Sequence, residues 1–355
     1  MKIALYTPYL DSFGGGERYI LTIAQTLLSD HRVDLLLDKH LQSLNYEKLI
    51  TDLSKRLNLN LSNLHLVPAP VGQGSNFFKR LLYLRNYNYL FYLTDGSIFY
   101  STAKNNIIHF QVPFQNLTPK NIWQKIKIKS WDLAIYNSQF TRGYVEPQLG
   151  LKGQVIYPPV DISSIKSLKK KKYILSVGRF TSFTRSKKHQ EMIEAFADIF
   201  KKGQIKGWSL HLAGSVEGDS SYVRQLQDQA RGLPVFFYPD LPFDNLMELY
   251  GHSSIYWHAA GFGETDPAKM EHFGITTVEA MAAGCVPVVI SHGGQVEIVE
   301  DGKSGFLWNN LEQLQQQTLK LIKDPKLMLN LSQQAQLRSK AFSKENFTSS
   351  IKEII

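Results

Sequence analysis

The chain has 355 residues, 43% of them hydrophobic and 20% charged, with one cysteine, Cys285. At roughly 150 residues per domain this length predicts two or three domains with a full core, and the proportions exclude wholesale disorder, a collagen-like repeat and a disulfide scaffold. The net charge of +9 calls for an anionic partner, whether nucleic acid, phospholipid or a phosphorylated small molecule.

The first apolar run, Lys2–Tyr6, ends in a Pro- and Gly-rich turn over residues 8–16, and helical spacing follows over 18–28. That is strand, loop, helix. Strands are predicted next at 33–37, 64–67, 90–93, 106–110, 133–137 and 154–157, with helical or turn chemistry between most of them. Residues 158–172, opening on Pro158 and Pro159 and closing on a run of lysines, read as an interdomain linker. The pattern then restarts: a strand at 173–177, a loop over 178–188, a helix at 190–200, and strands at 208–213, 235–238, 254–258, 286–290 and 305–308. Residues 311–355 are helical in spacing, with no convincing strand. Strands alternating with helices make parallel, doubly wound α/β sheets. Two of them facing each other across a linker would gather the loops at their strand ends into a central cleft, where the chemistry should be sought.

No apolar run is long enough to span a bilayer, and the start, MKIALYTPYL, lacks a cleavable leader pattern. With a lone thiol, a cytosolic protein is expected. Residues 79–129 carry eight basic side chains against the single acid Asp95, interleaved with aromatics. This stretch reads either as solvated lysines over a buried aromatic core or as a patch that touches an anionic membrane, each nearby cation contributing about 1 kcal/mol.

Three loops carry candidate chemistry. The triplet Gly14-Gly15-Gly16 precedes a helix N-terminus and would let backbone approach a phosphate or sugar, although a plain tight turn fits it equally well. It is neither the dinucleotide fingerprint nor a Walker A loop. At the end of the strand opening the second half, Gly178-Arg179 with Lys187 further along the loop can bracket a diphosphate, the guanidinium as a fork and the ammonium as a mobile charge. The third is Glu271-His272-Phe273-Gly274-Ile275-Thr276-Thr277-Val278-Glu279. On one continuous helix its two carboxylates would stand about 12 Å apart. Gly274 and the threonines instead predict that a helix starts between them, capped by a threonine, with the N–H groups of Phe273, Gly274 and Ile275 turned outward for anionic oxygen. The plainer reading, that Glu279 only complements the helix dipole, leaves Glu271 and the glycine unexplained.

The segment 263–308, with Glu-x7-Glu running into Glu279-Ala280-Met281-Ala282-Ala283-Gly284, then Pro287-Val288-Val289 and Gly302-x-x-Gly305-Phe306, resembles the family-4 retaining glycosyltransferases of the GT-B fold. Ser176-Val177-Gly178-Arg179 with Lys187, the segments Asn137-Ser138-Gln139-Phe140-Thr141 and Tyr157-Pro158-Pro159-Val160-Asp161, and the opening glycines are similar too, so the resemblance covers nearly the whole chain. It implies an N-terminal Rossmann-like acceptor domain (1–160), a C-terminal Rossmann-like donor domain (161–340) and a last helix (341–355) returning to the first domain. It further implies a metal-independent hexosyl transfer from a UDP- or GDP-sugar to a glycan or lipid-linked acceptor in cell-surface polysaccharide assembly, with no cofactor.

By the same resemblance Glu279 would hold the ribose, and Glu271 with the backbone of Phe273, Gly274, Ile275 and Thr276 would hold the sugar and diphosphate. Arg179 and Lys187 would neutralise the leaving group, Gly15, Gly16 and Gly178 would approach it, and His109 would lie beside the reacting sugar. Lys188 stands as an alternative to Lys187, because the interval from Arg179 is longer than in many members. The loop after Val235 leaves uridine and guanosine both open. Lys120, Trp123, Lys125, Lys127 and Lys129 are expected to rest on an anionic inner membrane face or the acceptor. No metal-ligand spacing is present. A GT-B epimerase would need acid and base carboxylates placed elsewhere, and a nucleic-acid binder would bind with strong salt dependence. Neither is expected.

Overall fold

The computed structural model describes residues 1–10, 14–39, 41–43, 45–183, 185–218 and 220–355. The chain divides into two compact units, Met1–Pro159 with Lys344–Ile355, and Val160–Ser343. Each is an α/β layer built on a parallel sheet.

In the first unit the chain runs β1 (Lys2–Tyr6), α1 (Gly15–Leu27), β2 (Arg32–Leu37), α2 (Tyr46–Leu57), β3 (His65–Pro68), α3 (Phe77–Leu84), β4 (Tyr89–Leu93), β5 (Asn105–Phe110), α4 (Ile122–Lys129), β6 (Leu133–Tyr136), α5 (Gln139–Leu149) and β7 (Gly153–Val155). The seven strands lie in the order β3-β2-β1-β4-β5-β6-β7. Ile3 pairs with both Val33 and Tyr89, in parallel register on each side. Such strands are covered on both faces, which is why β1 and β4 are almost wholly apolar. Leu84 of α3, Ile128 of α4 and Val145 of α5 share a buried cluster on one face, while residues of α1 and α2 pack into another.

The second unit runs β8 (Tyr173–Val177), β9 (Phe180–Thr181), α6 (His189–Lys201), β10 (Ser209–Gly214), β11 (Val216–Glu217), α7 (Ser221–Gln229), β12 (Val235–Pro239), α8 (Phe243–His252), β13 (Ile255–His258), α9 (Ile275–Ala282), β14 (Val286–Ile290), α10 (Gln295–Ile298), β15 (Phe306–Trp308), α11 (Leu311–Lys323) and α12 (Pro325–Ser339). Its six main strands lie in the order β12-β10-β8-β13-β14-β15, and β9 pairs with β11 apart from them. The two-residue strands β9 and β11 are too short to leave a period in the sequence. Every strand predicted from the sequence is present within two residues, so the doubly wound α/β class holds.

The helical tail resolves into three helices with readable breaks. Asp324 caps α12 by accepting from the N–H groups of Lys326 and Leu327 at 3.1 and 3.0 Å, and Pro325 occupies the first helical position, where its missing N–H costs nothing. The last helix, α13 (Lys344–Lys352), belongs to the first unit and lies against α1. Phe347 meets Tyr19 edge-on at 4.8 Å between ring centroids, and the Tyr89 hydroxyl donates to the carbonyl of Ile355 at 2.9 Å. Phe347 is buried, so Phe347→Ala should destabilise the first unit by about 3 kcal/mol. Denaturant titration checks this; an unchanged midpoint would mean that α13 is not part of the unit's core.

Candidate functional site

In an open α/β sheet, ligands bind outside the carboxyl ends of the strands, at the point where the winding reverses. In the second unit that point lies between β8 and β13: β10 and β12 extend the sheet to one side of β8, then β13 returns to its other side. Gly178 and Arg179 follow β8 and His258 ends β13, so all three stand at the crevice.

Tertiary structure brings Lys187 and Glu271 together here, Nζ to Oε2 at 2.6 Å, and His258 Nε2 lies 3.0 Å from the same oxygen. Burial works against an ionised Glu271, but the Lys187 ammonium and the His258 ring outweigh it and hold the carboxyl well below its usual range. Burial lowers the pKa of His258 despite Glu271, so the ring is neutral at pH 7 and its Nε2–H donates to the carboxylate. Gly178 makes room for the lysine stem: a Cβ there would stand 2.8 Å from Lys187 Cγ.

Lys188 takes a different partner, Glu264, at 2.7 Å. It holds a left-handed conformation, φ 56°, as the residue before α6. The structure thus separates the two lysines: Lys187 faces Glu271, Lys188 faces Glu264. Arg179 is exposed at the strand end.

The start of α9 corrects one expectation. No threonine caps it; Gly274 does, at φ 121°, a conformation that side chains disfavour. A Cβ at 274 would also stand 2.3 Å from Gln295 Nε2. The threonines sit inside the helix, where the Thr277 hydroxyl donates to Gln295 Oε1 at 2.9 Å and Thr276 Oγ1 accepts from Tyr256 at 2.8 Å. The N–H groups of Gly274, Ile275 and Thr276 find no backbone acceptor among the described residues, as the first turn of a helix requires. The Phe273 side chain is buried against Phe342, and Gly294 donates to the carbonyl of Glu271 at 2.8 Å. Glu279 is buried and accepts from the Tyr250 hydroxyl at 3.0 Å.

In the first unit, His109 is buried in β5. Its ring is 1% exposed and stacked on Tyr19 at 3.8 Å, and burial pushes its pKa down to about 3. Both ring nitrogens are enclosed in the fold, and the low pKa keeps the ring neutral at pH 7. Gly15 opens α1 and is exposed, and a Cβ at Gly16 would stand 3.1 Å from Gln111 Oε1. The N–H of Gly14 already donates to the Glu17 carboxylate at 2.7 Å. Phe13, beside the triplet, lies outside the described residues. Lys120, Trp123, Lys125, Lys127 and Lys129 are all exposed, the last four on α4.

Sequence reading missed a cavity of about 950 Å³ lined in part by Tyr6, Asp38, Gly72, Arg80, Asp95 and Phe99. It sits where the first sheet reverses, between β1 and β4. Tyr6 stacks on Tyr92 at 5.2 Å and donates its hydroxyl to Asp38 at 3.1 Å. Arg80 lies 5.0 Å from the Phe99 ring centroid with its Nε buried and unpartnered, and burial lowers its pKa. The reversal rule applied to strand ends would have found Asp38 and His258; nothing local marks Arg80 or Gln295. Among the described residues no three His, Cys, Asp or Glu side chains group as metal ligands.

A carboxyl held below its unfolded value stabilises the fold above that value and loses the contribution as pH falls through the folded one. Wild type should therefore melt above Glu271→Gln at neutral pH, with the gap narrowing below about pH 4.3, the unfolded Glu value. A gap independent of pH would contradict the ion pair.

Comparison with known proteins places the chain. The family model described as glycosyl transferases group 1 matches residues 160–338, half of the chain. The curated relatives include a GDP-Man:Man(3)GlcNAc(2)-PP-Dol alpha-1,2-mannosyltransferase of Dictyostelium discoideum, 27% identical over 61% of this chain and 45% of that protein. An alpha-1,3/1,6-mannosyltransferase of Rhizomucor pusillus is 29% identical over 50% of this chain and 46% of that one. The chain thus spans about half the length of the curated relatives it matches. Among solved structures, Anabaena HepE in complex with UDP aligns over 100% of this chain and 99% of its own, with TM-score 0.72 and 19% identity. A glycosyltransferase from Rickettsia africae aligns over 99% and 97%, with TM-score 0.74 and 17% identity. These likenesses give the GT-B fold over the full chain, and the chain belongs to the glycosyl transferases group 1 family.

Proposed function

We propose that the chain transfers a hexosyl group from a nucleoside diphosphate sugar to a hydroxyl of a glycan or lipid-linked acceptor, with retention of anomeric configuration and without a metal or other cofactor. The observation that carries this reading is the Lys187–Glu271–His258 cluster at the reversal point of the second sheet, beside the outward amides of α9. A part-buried ammonium needs a countercharge, and Glu271 supplies it. An incoming diphosphate offers more negative charge to Lys187 and Arg179, and leaves Glu271 able to accept from sugar hydroxyls while His258 holds it in place.

In the step so supported, the bond from the anomeric carbon to the diphosphate breaks and the acceptor oxygen bonds to that carbon on the same face. The proton of the acceptor passes to the leaving phosphate oxygen. Arg179, Lys187 and the amides of Ile275 and Thr276 stabilise the departing charge, and Glu279, held by Tyr250, accepts from the ribose. The cavity of the first unit suits an acceptor sugar, with aromatic rings to lie against and the carboxylates of Asp38 and Asp95 to receive its hydroxyls. No helix among the described residues is long and apolar enough to cross a membrane; a cytoplasmic enzyme peripheral to the inner membrane face is the corresponding location, in cell-surface polysaccharide assembly.

Arg179→Ala and Lys187→Ala should each lower turnover about 10²-fold, the loss seen when one charge-stabilising donor is removed, whereas Lys188→Ala should cost far less. Full activity of the Arg179 variant would overturn the assignment. Thermal shift with a set of UDP- and GDP-sugars identifies the donor, since a ligand at 100 times its Kd stabilises by about 2.7 kcal/mol. Absence of a shift with every one of them would refute donor binding.

A further inference from the structure

Two short helices of the first unit expose the residues that a helix ordinarily buries. In α4 only Ile128 is buried, and in α3 only Leu84. Both of these anchors are near the C-terminal ends of their helices and join one cluster on one face of the sheet. Ahead of them Phe78 is 73% exposed and Leu82 65% on α3, and Trp123 70% and Ile122 63% on α4. Phe77 and Ile126 are exposed as well.

The two helices grip the same connecting segment. The Thr102 hydroxyl donates to the carbonyl of Leu81 in α3, and the N–H of Ser101 donates to the hydroxyl of Ser130, which caps α4. Phe99, in that segment, meets Arg80 of α3 and packs edge-on at 5.3 Å against Trp131, just past α4. So α3 and α4 flank one strip of chain on one sheet face.

Their charge is of one sign. Residues 77–131 contain eight Lys and Arg and only Asp95 as an acid. A cavity of about 300 Å³ beside α4 is lined by Thr118, Lys120, Gln124 and Lys127 among others, with no acidic side chain.

Exposed aromatics and aliphatics between lysines form an interfacial surface: the apolar tips enter the headgroup boundary while the ammonium groups meet lipid phosphate. We infer that α3 and α4 together form one platform that docks on an anionic lipid bilayer, with Lys120 and Lys127 receiving a headgroup phosphate in the cavity between them. This extends the peripheral-membrane part of the proposed function from α4 to a two-helix surface, and it stands on unit-one residues outside the donor machinery.

The test is co-sedimentation of the full chain with phosphatidylcholine vesicles made with and without phosphatidylglycerol. Binding is expected with the anionic vesicles and little with the neutral ones. Lys125→Gln/Lys127→Gln/Lys129→Gln should weaken it on the order of a hundredfold, at about 1 kcal/mol per cation. Phe78→Ser/Leu82→Ser on α3 and Trp123→Ser on α4 should each weaken it roughly tenfold or more. All these positions are exposed, so the melting temperature and the thermal shift by nucleotide sugars should match wild type, which separates failure of docking from failure of the donor reading. Equal binding to both vesicle types would overturn the proposal, as would an α3 variant that binds like wild type. So would displacement of the chain from vesicles by RNA at equal phosphate concentration, which would assign the surface to nucleic acid.

Discussion

The candidate site depends on one ion pair. Lys187 and Glu271 are 84 positions apart in the chain and 2.6 Å apart in space. Lys187 lies on the loop between β9 and α6, and Glu271 on the loop between β13 and α9; neither position is fixed by local structure alone. The carboxylate is held from a second side by His258, so the loop before α9 is tied both to the end of β13 and to the loop that leads into α6. Close backbone packing sets the remainder. The Glu271 carbonyl is engaged by Gly294, and Gly274 leaves room for Gln295. A site assembled this way is ordered before any ligand arrives, which reduces what binding must organise.

Both sheets follow one physical rule. In each, the chain winds outward from a central strand and then returns to that strand's other side, leaving a crevice where adjacent loops diverge. In the second unit the crevice gathers cations, carboxylates and helix amides. In the first it gathers Tyr6, Asp38 and Arg80 around a large cavity. The chemistry differs because the loops differ: the scaffold decides where a ligand goes, and the loop residues decide what it is.

Burial distinguishes the helices by task. Most of α9 is buried, and that fixes Glu279 and the amides at its start against the sheet. By contrast α3 and α4 bury one residue each. Their apolar content cannot be explained by the core of the unit that carries them, which is the reason to look outside it for a partner.

Sequence alone determined the layered α/β class and nearly every strand, because parallel strands covered on both faces must be apolar runs and the helices between them carry their own period. It also supplied the Glu271-to-Glu279 block and the Gly178, Arg179 and Lys187 loop, since strand ends and helix starts are legible one at a time. Tertiary structure alone decided which groups meet. It chose Lys187 over Lys188 as the partner of Glu271, and brought in His258 and Gln295. It enclosed His109, which a strand-end position had left open, and moved the cap of α9 from a threonine to Gly274. Each of these turns on a contact between segments distant in the chain, and the periods of a sequence record which face of an element is buried but not what lies against it.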